Sequence, residues 1–161
     1  MSIADTNLKT EAFFDVGEEV CAPLTGNEYS ILKDPAGIDV LQRIALGLRG
    51  KGYNVTKVKR GKGIHAACIV RLSSSCEIEV LLGVVRIKRG YVSCYLDTSR
   101  SRPFFGWFER GEPSDWDCME QWMKVRDAIN DVIVDKLGLP SVEWVTPIES
   151  SDRWAARKSA N

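Results

Sequence analysis

The chemistry that this sequence offers rests on one histidine, five cysteines and a close pair of glutamates. His65 precedes Cys68 by three positions, and a histidine that contacts a cysteine can activate its thiol as a nucleophile. Residues three apart on a strand point to opposite faces, so His65 and Cys68 are not expected to meet. Cys94, which lies on another predicted strand, stays open as a partner of His65.

The same residues argue against a metal site and against a phosphate-binding loop. Zinc sites use several histidines or closely spaced cysteines, and this chain has one histidine and no C-x-x-C pair. The stretch "GKGIH" at 61–65 matches neither glycine-rich phosphate motif. Glu77 and Glu79 share a strand face and could bind a cation, although a solvated face is the simpler interpretation. We therefore predict no catalytic residue, no metal and no cofactor, and a protein that is not an enzyme.

An aromatic–arginine loop is the first candidate for binding a partner. The stretch "RSRPFFGWFER" at 100–110 places four aromatic rings between arginines. Tryptophan and arginine anchor many protein interfaces, because they bury a large area and keep a polar group. The residues predicted to bind here are Arg100, Arg102, Phe104, Trp107 and Arg110. In the alternative, all four rings pack into a small core with Trp116.

An acidic helix over 115–135 is the second candidate. Its acidic residues are Asp115, Asp117, Glu120, Asp127, Asp131 and Asp135, of which the first five are predicted to bind a partner. If that partner is a nuclease toxin with a basic substrate groove, this helix is the better docking surface because its charge is complementary.

Basic residues concentrate in the middle of the chain, where residues 49–102 hold twelve bases and three acids. They are Arg49, Lys51, Lys57, Lys59, Arg60, Lys62, Arg71, Arg86, Lys88, Arg89, Arg100 and Arg102. Such a run can neutralise phosphates, and Tyr53, Tyr91 and Tyr95 could stack on single-stranded bases. A nucleic-acid-binding module is therefore the alternative function. The equal totals of 22 basic and 22 acidic residues argue against it.

Hydrophobic periodicity predicts which elements position these features. Apolar residues at helical spacing predict helices over 34–50 and 115–137, the second burying Met119, Trp122, Met123, Ile129, Ile133 and Leu137. Alternation predicts strands over 53–58, 64–72, 76–88, 91–97 and 139–145, with Gly83 as a possible bulge. We expect an α+β fold: an antiparallel meander sheet of four to five strands, with two main helices on one face and a wet opposite face.

Length and composition predict a single domain over residues 1–161. Residues 1–30 are expected to be irregular, and residues 147–161 to form a frayed tail. The start of the chain does not resemble a signal peptide, and the longest apolar run, "VLLGVV" at 80–85, is too short to span a bilayer. An odd number of cysteines without close pairs indicates reduced thiols, and hence a cytoplasmic protein.

The order of elements resembles that of small bacterial immunity proteins, which neutralise a cognate toxin. The resemblance lies in a helix ending "LRGKGYNV", a strand meander, the helix "DWDCMEQWMKVRDAINDVI" and a closing "LPSVEW", and it covers roughly residues 30–146. It implies a cytosolic, non-catalytic protein that blocks a toxin by surface complementarity. It implies no particular contact residues, because such families vary most at the surface that meets the toxin.

Overall fold

The computed structural model describes residues 9–17, 37–60, 65–73, 76–88, 91–100, 115–140 and 142–159. The strands are β1 (Glu11–Gly17), β2 (Asn54–Val55), β3 (Lys59–Arg60), β4 (Ala66–Arg71), β5 (Glu77–Lys88), β6 (Tyr91–Arg100) and β7 (Trp144–Val145). The helices are α1 (Ile38–Gly50), α2 (Asp115–Leu137) and α3 (Pro147–Ser159). The predicted α+β class is confirmed.

The seven strands form one antiparallel sheet in the order β2-β4-β5-β6-β1-β7, and β3 also pairs with β4. Strands β4, β5 and β6 are the predicted meander. The sheet is larger than the predicted four to five strands, partly because β1 lies in the segment predicted to be irregular. In β1, every second side chain points into the core, namely Ala12, Phe14 and Val16. The apolar Phe13 between them obscures this alternation in the sequence.

Helices α1 and α2 pack on one face of this sheet, as predicted. The side chains that they bury are Val40, Leu41, Ile44, Ala45 and Leu48 from α1, and Trp122, Val125, Ala128, Ile129, Val132 and Ile133 from α2. The Trp122 indole donates to the Thr98 hydroxyl at 3.1 Å, so its polar atom is satisfied inside the core. Met123, predicted to be buried, is 43% exposed, because it lies a quarter-turn away from the buried stripe.

Helix α3 covers part of the opposite face, although its residues were expected to fray. A reciprocal capping box starts the helix: the Thr146 N–H donates to the Glu149 carboxylate at 2.8 Å, and the Glu149 N–H donates to the Thr146 hydroxyl at 3.2 Å. Trp154 then packs 5.8 Å from both Phe13 and Tyr95, measured between ring centres. This face also buries Ala67, at 3% exposure, while Asp15 and Arg71 on it are exposed, so it is only partly the solvent-exposed face that the sequence predicts.

Helices α1 and α2 approach each other closely at Gly47. A Cβ there would lie 2.5 and 2.8 Å from the two methyl carbons of Val132, whereas a Cβ at Gly50 would meet nothing within 4 Å. We expect Gly47→Ala to lower the free energy of unfolding by about 1 kcal/mol, because the steric cost outweighs the gain in helix propensity. Gly50→Ala, the control in the same helix, should raise it by about 0.5 kcal/mol. Urea denaturation measures both, and a stabilised Gly47→Ala variant would contradict this packing.

The cysteines are not all reduced, which corrects the expectation from the sequence. Cys68 and Cys94 are buried in the core and are not disulfide-bonded. Cys76, just before β5, is disulfide-bonded, and its partner lies outside the described side chains. We expect alkylation of the unfolded, unreduced protein to label three of its five cysteines, since two sulfurs are held in the bond. Mass spectrometry counts the labels, and five labels on freshly purified protein would show that the bond does not form.

Candidate functional site

The aromatic–arginine loop lies almost entirely outside the described residues. Arg100 ends β6, and only its backbone is described. Arg102, Phe104, Trp107 and Arg110 lie outside the described ranges. Their part in binding a partner, and the question whether the rings are exposed or buried, stay predictions.

The acidic helix is α2, and three of its predicted binding residues share one exposed side. Glu120, Asp127 and Asp131 follow one another at intervals of seven and four residues, which aligns them along the helix. All three are exposed. Asp115 and Asp117 lie in the first turn of α2, where only the backbone is described.

All three carboxylates are exposed, and among the described residues their ion pairs are either solvent-exposed or long. Glu120 lies 2.9 Å from Lys124, Asp127 lies 3.5 Å from Arg126, and Asp131 lies 3.6 Å from Lys51 at the end of α1. The hydrogen bond from Lys124 lowers the pKa of Glu120. Exposed pairs of this kind are weak and screened by salt, so the carboxylates can exchange these partners for others.

Two apolar side chains accompany the acids on this side of α2. Met123 is 43% exposed and Val134 is 37% exposed. We call the exposed side formed by Glu120, Met123, Lys124, Asp127, Asp131, Val134 and Asp135 the α2 outer face. It combines four acids and one base with apolar area, a composition that suits docking of a basic protein surface.

A second group of polar side chains lies on the face of the sheet that α3 partly covers. Glu11 of β1 pairs in register with Asp97 of β6, and Glu79 of β5 adds its charge to theirs. Burial, then Glu11, then Glu79 raise the pKa of Asp97 to about 6. Tyr95 donates a hydrogen bond to Glu11, and burial together with the neighbouring carboxylates raises the pKa of Tyr95 far above its usual value. The cluster is electrostatically unfavourable at neutral pH.

His65 lies on the same face, over Gly83. A Cβ at Gly83 would overlap the imidazole ring, so the glycine makes room for the histidine. The bulge of β5 lies between Val84 and Arg86 rather than at Gly83 itself. The Nδ1 atom of His65 is buried and has no hydrogen-bond partner among the described residues.

His65 and the core thiols point to opposite faces, which confirms the prediction for Cys68 and argues against Cys94, the partner that the sequence leaves open. Cys68 and Cys94 are buried between the sheet and the two main helices. Burial raises the pKa of Cys68 to about 12, although Arg49 opposes the shift. Such a thiol stays protonated at neutral pH and is a poor nucleophile. Within the described ranges, no imidazole–thiolate pair forms.

The pairing of the strands changes the interpretation of Glu77 and Glu79 as a possible cation site. Glu77 and Glu79 do not act together, because Glu77 binds Arg71 at 3.0 Å and Glu79 faces Asp97. In the described part of the chain, no three histidine, cysteine or acidic side chains are placed to hold a metal ion.

The basic residues of 49–102 are partly engaged within the molecule. Arg49 donates to the carbonyl oxygens of Val55 and Thr56, at 3.2 and 2.8 Å. Lys57, Lys59 and Arg60 are exposed along the edge of the sheet. Tyr95, one of the tyrosines expected to stack on bases, packs against Phe13 and Trp154 instead, beside carboxylates that repel phosphates.

The chain matches no known protein family, no curated protein and no solved structure. The resemblance to immunity proteins therefore rests on the order of elements alone. None of the helices in the described ranges is long and apolar enough to cross a membrane.

Proposed function

We propose that this protein is a non-catalytic inhibitor of the immunity-protein type, which binds a cognate toxin through the α2 outer face. The observation that supports this most is the exposed acidic stripe of Glu120, Asp127 and Asp131, with Met123 and Val134 beside it. Buried apolar area supplies affinity in protein interfaces, while complementary charge speeds association and selects the partner.

The partner with the best complementarity is a protein with a basic groove, and a nuclease toxin has such a groove because it binds phosphates. An acidic helix seated there would occupy the position of the nucleic-acid backbone. Inhibition would need no chemistry from the inhibitor. The aromatic–arginine loop remains a proposed second contact.

The sequence predicts a cytoplasmic location, and the disulfide at Cys76 weighs against it. Disulfides are rare in reducing compartments and common outside them. Counting the alkylated cysteines by mass spectrometry therefore tests the disulfide and, with it, whether the protein works in a reducing or an oxidising compartment.

Affinity purification from the cells that make the protein tests the proposal. The tagged protein is isolated with and without nuclease treatment, and the proteins that accompany it are identified and quantified. One near-stoichiometric basic protein that survives nuclease treatment would support the inhibitor, and Trp107→Ala would then test the loop. Partners that disappear after nuclease treatment would instead indicate that the protein binds nucleic acid through the basic residues of 49–102.

A further inference from the structure

Arg126 of α2 is largely buried between two tryptophans. Its guanidinium carbon lies 5.4 Å from the centre of the Trp122 ring and 6.0 Å from that of Trp144, which belongs to β7. The side chain is only 20% exposed. Two indole rings thus hold the cation in place and leave the edge of the guanidinium, with its N–H groups, for other contacts.

Among the described residues, the polar contacts of Arg126 are few and long. Its Nη1 donates to the Lys9 carbonyl at 3.5 Å, and its Nη2 lies 3.5 Å from a carboxylate oxygen of Asp127. Its Nε is buried and has no partner among the described residues. Charged hydrogen bonds of arginine are usually about 2.8 Å long, so this buried cation is poorly satisfied.

Trp144 supplies a second unpaired donor at the same place. Its side chain is 9% exposed, and its indole N–H is buried without an acceptor in the described part of the chain. Trp144 faces α2 because its strand partner Ala12 points into the core. Unpaired buried donors are rare and destabilising in folded proteins, and here the indole that carries one of them lies 6.0 Å from the guanidinium carbon of the other, measured to the ring centre.

We propose that Arg126 and Trp144 form a binding site for a small oxyanion, the carboxylate or phosphate group of a ligand. Both unpaired groups are donors, and no carboxylate of the described residues lies closer than 3.5 Å to the Arg126 guanidinium. An oxyanion accepts from both and neutralises the buried cation, since guanidinium N–H groups match the spacing of carboxylate and phosphate oxygens. The site lies at the edge of the sheet beneath α2 and does not depend on the proposed toxin binding.

The test is an NMR titration of the ¹⁵N-labelled protein with sodium acetate, sodium phosphate and, for ionic strength, sodium chloride. The Trp144 indole signal is assigned by its loss in Trp144→Phe, and the Arg126 Nε–H signal by its loss in Arg126→Gln. We expect both signals to shift saturably with acetate, phosphate or both, and not with chloride. Comparison of the two oxyanions distinguishes a carboxylate ligand from a phosphate ligand.

Matched variants locate the binding. Arg126→Gln keeps a planar polar group but removes the charge, and it should weaken oxyanion binding at least about tenfold. Trp144→Phe keeps most of the ring packing and should weaken it severalfold. Arg153→Gln, at an arginine that pairs with Glu143 on the surface, should leave binding unchanged. Signals that do not shift, or that shift equally with chloride, would overturn the proposal and leave water as the acceptor. Equal affinity in Arg126→Gln would also overturn it.

Discussion

Reversing Asp127 and Asp131 to lysine is expected to weaken binding of the proposed basic partner about a hundredfold, because opposed charges become like charges across the interface. The two residues lie one helical turn apart on the α2 outer face, and both are exposed. Asp131 forms an exposed, weak pair with Lys51, and Asp127 forms a long pair, 3.5 Å, with the largely buried Arg126, so the variant should lose little stability. Calorimetry or surface plasmon resonance with the purified partner measures the loss.

A matched double charge reversal at another site distinguishes an effect of the α2 outer face from an effect of the net charge. Glu143 and Asp152 are also exposed acids, and Glu143 forms an exposed pair with Arg153. Glu143→Lys with Asp152→Lys therefore changes the net charge equally, but near β7 and in α3 rather than on the α2 outer face. It should lower the affinity much less. Equal losses in the two variants would mean that only the net charge matters.

Asp97→Asn is expected to stabilise the protein at neutral pH by about 2 kcal/mol, which is unusual for the loss of a buried charge. The pKa of Asp97 is raised from 3.8 to about 6, so the folded protein favours the protonated carboxyl. The stabilisation that protonated Asp97 provides is complete below pH 3.8 and is lost as the pH rises through about 6. Asparagine resembles the protonated form, so its advantage should grow between pH 3.8 and about 6 and stay constant at higher pH.

Urea denaturation of both proteins at several pH values measures this difference. The two stabilities should agree below pH 3.8, separate progressively up to about pH 6 and then differ by a constant amount, while other carboxyl groups affect both proteins alike. Asp152→Asn, at an exposed acid of α3, serves as the control and should show no such trend. A gain that is equal at all pH values would contradict a shifted pKa, and a loss at neutral pH would mean that the Asp97 carboxylate is favourably paired.

The parts of the fold that the sequence predicts are those with strong local patterns. In β4, every second residue is apolar and faces the core (Ala66, Cys68 and Val70), and the apolar positions of α1 and α2 repeat with the helical period. The sequence does not predict strand β1, because the adjacent apolar residues Phe13 and Phe14 break the alternating pattern although they point to opposite faces. Helix α3 occupies the segment expected to fray, although the sequence does contain the capping signal from Thr146 to Glu149.

The polar clusters could not be predicted, because pairing of distant strands creates them. Glu11 and Asp97 are 86 positions apart and meet only because β1 adds to the sheet beside β6. Arg126 and Trp144 meet because β7 pairs with β1 and thereby comes under α2. The acids of the α2 outer face, by contrast, were predictable, since helical spacing alone aligns them.

Site-specific photo-crosslinking tests the central claim, that the α2 outer face meets the partner, most directly. A photoreactive residue is placed at Asp127 in one protein and at Asp152 in another, and both are irradiated with the purified partner. The proposal predicts a crosslink from position 127 to the basic groove of the partner, and little or none from position 152. An efficient crosslink from position 152 together with none from position 127 would contradict it, because the partner would then bind near α3 rather than on the α2 outer face.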